Sequence, residues 1–225
     1  MGNRKAFLYG GLVLAAAAAA LFFLRSWYVS LFAVCAGTLL ASFALFEDRA
    51  AAVEKTVLTA VLSTAAAAGR ALFAAFPPGV QPASFIIILT GTVFGPEAGF
   101  VTGALTALIS SLVLGMGPWT VWQMLAWGLM GFAAGLLRVP MRGSKAFRVV
   151  FSFLWGILFG WIMNIWSLVS MGSGSGLVYV LTIYGASLLF DVFHGATNAL
   201  LMFFAGDRII RMLGRVAAKY GLIRM

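Results

Sequence analysis

The sequence predicts an all-α fold, a polytopic transmembrane helix bundle, and three observations predict it. Apolar runs lie near residues 6–24, 27–46, 54–76, 98–116, 119–137, 148–171 and 177–206, with a shorter one at 83–94. About 20 such residues cross the roughly 30 Å hydrocarbon core of a bilayer as a helix. The chain is 63% hydrophobic and 9% charged, against roughly 25% charged in a soluble domain, so no soluble core of this length would bury its apolar surface. Finally, the basic residues sit between the runs and fall mostly on one side of the resulting weave.

That charge count fixes the expected topology. With the N-terminus cytoplasmic and eight crossings, Arg4, Lys5, Arg49, Lys55, Arg138, Arg142, Lys145, Arg148 and the tail residues Arg208, Arg211, Arg215, Lys219 and Arg224 are all inside, 13 of the 15 Lys and Arg. Only Arg25 and Arg70 lie outside. The inverted arrangement violates the positive-inside rule. Dropping 83–94 as a crossing splits the basic loops between both sides, so this short run is expected to cross, obliquely or incompletely. A net charge of +9 suggests nucleic acid in a soluble protein. Here it follows from topology.

The first run follows Arg4 and Lys5 as in a signal peptide, but Arg25, Trp27 and Tyr28 stand where a small-residue cleavage site is needed. It is read as a retained helix, paired with 27–46 in a transmembrane hairpin spanning residues 1–50. A six-helix core is expected over 51–206. Its first span carries Thr56, Ala60, Thr64 and Ala68 on one stripe, a small-residue face open to a second protein. Arg70, near the outer end, either snorkels outward or meets an anionic or amide-rich ligand. Three outer loops, Phe76–Pro82, Gly115–Gln123 and Met171–Gly176, are rich in Pro, Gly, Trp and amides and suit a ligand mouth. An interfacial aromatic belt explains Trp119, Trp122 and Trp127 equally well, but not Gln123 beside them.

Gly95-Pro96-Glu97-Ala98-Gly99 reads as a tight turn with Pro96 at a helix start. Gly95, Gly99 and Gly103, Gly131 and Gly135, and Gly156 and Gly160 are spaced by four. Such ridges let helices approach closely in lipid and are expected to hold the bundle together. In the last span Asp191, His194 and Asn198 share one face. An ionised Asp at mid-bilayer costs about 2.5–3.5 kcal/mol on insertion scales. Such residues face the bundle interior or a cavity. They form either a structural network, with Asp191 neutral or bonded to His194 and Asn164 joining from the adjacent span, or part of a pocket. Residues 207–225 read as a basic amphipathic tail on the cytoplasmic surface.

Several chemistries are excluded or weak. One cysteine, Cys35, makes no intrachain disulfide, and one histidine with few acids excludes a zinc site of three or four protein ligands. No metal or cofactor is expected. The chain has no HExxH, GxSxG or P-loop pattern, so active transport would draw on another subunit's energy.

Gly69-Arg70-Ala71-Leu72-Phe73, Gln81-Pro82, Thr90 through Phe100, Gly117-Pro118-Trp119-Thr120-Val121-Trp122-Gln123-Met124 running on to Gly128, and Asp191-Val192-Phe193-His194-Gly195-Ala196-Thr197-Asn198 together resemble the substrate-specific S components of energy-coupling factor (ECF) transporters. The resemblance covers about residues 54–206 and is strongest to the cobalamin-uptake branch. It implies a six-helix core with both termini cytoplasmic in the cell membrane of a bacterium or archaeon, an outward pocket for a vitamin, and docking on a transmembrane coupling subunit served by two ATPases. It also implies that the protein topples to release its ligand, and that the Thr56, Ala60, Thr64 and Ala68 stripe is the docking face. The N-terminal pair of spans departs from the six-helix pattern. The substrate-binding candidates are Arg70, Gln81, Trp119, Trp122, Gln123, Asn164, Asp191, His194 and Asn198, with cobalamin the leading ligand and riboflavin or a deazapurine queuosine precursor the alternatives. No catalytic residue is expected. The rival from another class is an intramembrane enzyme using Asp191 and His194, and a third reading is a membrane scaffold whose polar groups only lock helices.

Overall fold

The computed structural model describes Gly37, residues 53–170 and residues 176–222. The expected N-terminal hairpin, Gly37 aside, and residues 171–175 of an expected outer loop lie outside them. The described residues form helices α1 (Val53–Leu72), α2 (Ala83–Phe94), α3 (Pro96–Leu114), α4 (Trp119–Leu136), α5 (Arg138–Gly143), α6 (Lys145–Ser170) and α7 (Leu177–Lys219), with a 3-10 turn at Phe73–Ala75. Setting aside the six-residue α5, this is the expected six-helix core. The segments Thr56–Ala75, Pro96–Leu114, Lys145–Ser170 and Leu177–Lys219 are long and apolar enough to cross a membrane.

α2 is the hub. Every residue of it but Ile86 is buried, and it touches each of the other helices. Its hydrophobic residues run all round the helix, as a fully enclosed helix requires. At 12 residues it is about 18 Å long, short of a full crossing. It nevertheless joins opposite ends of the bundle. Gly95, at φ +98°, turns the chain directly into α3 with Pro96 at its first position, as the sequence predicts.

α3 packs on α4, and α6 on α7, more extensively than any other pairs. The glycine ridges are the reason. A Cβ on Gly99 would overlap the Gly131 carbonyl, one on Gly103 the Trp127 carbonyl, and one on Gly135 the Pro96 backbone. On the other pair, Gly156 lies against Gly195 and Gly160 against the Asp191 carboxyl. These ridges hold this chain's own bundle together, as expected. Five hydroxyls inside the bundle are satisfied locally: Ser63, Thr90, Thr92, Thr106 and Ser110 each donate to the carbonyl four residues back, which suits lipid because no water is needed.

The basic residues meet at one end. Arg142 donates to the Thr92 and Val93 carbonyls at the C-terminus of α2, at 3.2 and 2.9 Å, where helix carbonyls lack intrahelical partners. Burial, and after it Arg138, lower the Arg142 pKa from its ordinary value. Arg148, expected in a loop, is instead buried within α6. It donates to the Met141 and Arg142 carbonyls and pairs with Asp207, tying α6 to α7. The basic tail forms no separate helix. α7 continues through Gly206 and Asp207 to Lys219 without a break, because no residue there interrupts helical hydrogen bonding.

Candidate functional site

At the end of the bundle opposite Arg142 and Arg148, a cavity of about 210 Å³ opens between the end of α1, the Phe73–Pro82 segment, Leu114 of α3, the first turns of α4, Phe159 of α6 and Phe190 of α7. The chain enters it through the 3-10 turn and three prolines. Gly79 fixes the segment to α7: it has φ +92°, and a Cβ there would meet the Phe190 carbonyl at 2.6 Å. Only glycine combines that conformation with that approach.

Three polar side chains line the cavity, and all three are expected site residues: Arg70, Gln81 and Gln123. Arg70 does not snorkel away. Its Nη1 donates to Ser110 Oγ at 2.7 Å, and its guanidinium lies 4.9 Å from the centroid of the Trp127 ring. Among the described residues no acidic one lines the cavity. Gln81 is 9% exposed, and its Oε1 is buried without a hydrogen-bond partner. Gln123 Oε1 receives a long hydrogen bond from Ser111 Oγ, 3.4 Å. The remaining walls are apolar, and Phe73, Phe76, Trp127, Phe159 and Phe190 make them partly aromatic. Trp127 stacks on Phe159 at 4.9 Å between centroids, and Phe73 on Phe76 at 4.8 Å.

The other six binding candidates stand elsewhere. Trp119 is exposed and Trp122 is buried; neither lines the cavity. Asn164, Asp191, His194 and Asn198 are buried in the bundle. Asn164 Nδ2 donates to Ser187 Oγ at 2.6 Å, and Ser187 donates to Asp191 Oδ2 at 3.0 Å, so Asn164 does join Asp191. Of the two alternatives for Asp191, the bond to His194 is not formed. His194 Nε2 pairs with Ser84 Oγ of α2 at 2.7 Å, and Trp127 Nε1 donates to the same oxygen at 2.9 Å. Ser84 thus links the cavity wall to α7. Asp191 Oδ1 and both polar atoms of Asn198 have no hydrogen-bond partner among the described residues. Sequence reasoning missed Ser84, Trp127 as a wall, Ser110, Gly79 and the phenylalanines. One signal was available: Trp127 follows Gln123 by four residues, on the same helical face.

The small-residue stripe of α1 lies on the outside. Thr56, Ala60, Thr64 and Ala68 are exposed, while Thr59, Ser63, Ala66 and Ala67 turn inward.

The comparison with known families decides the assignment: "ECF transporter, substrate-specific component" matches residues 54–213. The chain belongs to this family. The match spans all six core helices and ends inside the basic part of α7. No solved structure matches the chain. An S component recognises a small molecule in the membrane while coupling and ATPase subunits supply the energy. The buried Ser84–His194 pair does not amount to a catalytic constellation: both residues are 0% exposed, and the Asp191 carboxyl that would orient the histidine is held by Ser187.

Proposed function

We propose that this S component binds a vitamin-like small molecule in the Arg70, Gln81 and Gln123 cavity, that the cavity end faces outward, and that the basic end and both termini are cytoplasmic. The observation that carries this reading is a cavity with three convergent polar groups and aromatic walls, at the end of the bundle away from the Arg138–Arg148 cluster. Apolar cavities with a few placed polar groups are the usual form of small-molecule sites, and the positive-inside rule sets the orientation. Cobalamin is the ligand that the family resemblance favours. The cavity favours something smaller: about 210 Å³ is below the roughly 300–1,000 Å³ of sites for drug-sized ligands, and cobalamin exceeds that class. To admit cobalamin, the Phe73–Pro82 segment must move out.

The exposed Thr56, Ala60, Thr64 and Ala68 face is the proposed docking surface for the coupling subunit. Its side chains are small, so a partner backbone approaches closely. Co-expression with a tagged coupling subunit and its ATPases tests this. The wild type should co-purify, and Ala60→Leu and Thr64→Leu should lose co-purification and uptake while retaining ligand binding. Normal uptake by both variants would rule out this face as the interface.

A further inference from the structure

We propose that the ligand is a compact, planar aromatic or heteroaromatic monocarboxylate carrying an N–H or O–H donor, with its anionic group paired to Arg70. The inference rests on the proposed binding role of the cavity and names the chemistry of what fills it.

Charge comes first. Among the described residues, Arg70 is the only charged one lining the cavity. Its partners are a neutral hydroxyl and the face of an indole, and no described acidic side chain pairs with it. A cation withdrawn from water needs a compensating anion. When a ligand covers the half-buried guanidinium, that anion has to arrive with it. One cation balances one negative charge. A phosphate monoester or a dicarboxylate would leave a charge uncompensated, a neutral ligand would leave Arg70 so, and a zwitterion would bring a second cation with no partner. The guanidinium's planar fork matches a carboxylate in geometry as well as sign.

Hydrogen bonding comes second. Gln81 Oε1 is buried with no donor from the protein, although buried acceptors are normally satisfied. Its carboxamide faces a cavity in which, among the described residues, Gln123 is the only other carboxamide. A donor on the ligand resolves the deficit, and the Gln123 amide is left to read the same edge. Shape comes third. Trp127, Phe159 and Phe190 line the inner wall and Phe73 and Phe76 the outer, a lining suited to flat rings. The volume suits one ring system and its substituents.

The test uses the full chain, purified in nanodiscs, titrated by calorimetry with 4-aminobenzoate, benzoate, 4-aminobenzamide, riboflavin and cobalamin. 4-Aminobenzoate should bind saturably, benzoate more weakly, and the amide at least about tenfold more weakly, the effect of losing a charge-assisted hydrogen bond. Arg70→Gln should remove the preference for the acid over the amide, and Arg70→Lys should restore part of it. Gln81→Glu provides a second route should Arg70→Gln fold poorly. It places a carboxylate in the same cavity, so the melting temperature should hold while 4-aminobenzoate binding falls by tenfold or more. Equal affinity for acid and amide, saturable cobalamin or riboflavin binding with no acid binding, or an undiminished acid preference in Gln81→Glu each overturns the proposal. Loss of acid binding in a preparation that still co-purifies with the coupling subunit refutes the ligand class and leaves the transporter reading intact. Acid binding without co-purification does the reverse.

Discussion

Ser84→Ala is the most informative single change in the bundle. Ser84, Trp127 and His194 are all 0% exposed, and one hydroxyl oxygen serves both rings, at 2.9 Å from Trp127 Nε1 and 2.7 Å from His194 Nε2. Removing it orphans an indole N–H and an imidazole nitrogen where no water replaces the bond. Soluble proteins lose about 1–3 kcal/mol for each buried group left unsatisfied. Interhelical hydrogen bonds in membranes average about 0.6 kcal/mol and reach about 1.7. Two such losses give about 1–3 kcal/mol, or roughly 2–10 °C in melting temperature for a chain of this size. Because Trp127 is also a cavity wall, ligand affinity should fall severalfold in the same variant. The assay is thermal melting in detergent across the cycle of wild type, Ser84→Ala, His194→Ala and the double variant. Ser84→Ala should cost less in the His194→Ala background, since one of its bonds is already gone. Additive losses, or an unchanged melt in the single variant, would show that the Ser84–His194 bond contributes nothing. A chemical product lost in Ser84→Ala with the melt unchanged would instead favour the enzyme.

Two further variants test the interior. Asp191→Asn keeps an acceptor for Ser187 and lies off the cavity, so melting temperature should hold or rise and affinity should hold; an affinity loss of about tenfold with an unchanged melt would place Asp191 in the site after all. Gly131→Ala drives a methyl into the Gly99 carbonyl and should destabilise by at least about 2 kcal/mol, within or above the usual overpacking range. Gly185→Ala, which meets nothing within 4 Å, should be neutral or gain up to about 1 kcal/mol from helix propensity. Equal melts for the two glycine variants would refute the close-approach reading of α3 and α4.

Much of this bundle was legible because lipid simplifies the code. Apolar length marks the spans, and spaced glycines mark the close pairs. The α7 polar face was visible for the same reason: polar groups at that depth turn inward. Arg70, Gln81 and Gln123 stood out as polar residues beside outer loops. What was hidden depended on distant partners. Ser84 looked like any small residue at a helix start, since His194 is 110 positions away. Phe159 and Phe190 resemble lipid-facing phenylalanines until packing assigns them a direction. Trp119 and Trp122 carried the same local signal as Trp127, but their positions on α4 turn them elsewhere, which no spacing rule resolves without the neighbouring helices. Arg148 was mistaken for a loop residue because its carbonyl and Asp207 partners come from two other segments.

The shortness of α2 explains why the site exists where it does. A helix of about 18 Å leaves roughly 12 Å of a 30 Å core to be covered by something else. At the Gly95 end α2 turns at once into α3, so the deficit falls at the other end, where the Phe73–Pro82 segment enters. Irregular backbone at membrane depth is tolerated only when it is buried in protein or lines a cavity. This segment meets that condition economically. Pro77, Pro78 and Pro82 have no N–H to satisfy, and the Phe76 and Val80 amides bond back within the segment to Phe73 and Pro77 at 3.0 and 3.1 Å. Gly79 then seats it against α7. The consequence is a cavity, the proposed binding site, built on a non-helical insert that rests on a helical floor of α2, α4 and α7. The insert, having few backbone bonds to the rest of the bundle, is the part that can yield to a ligand, while Ser84 holds Trp127 and His194 beneath it in place.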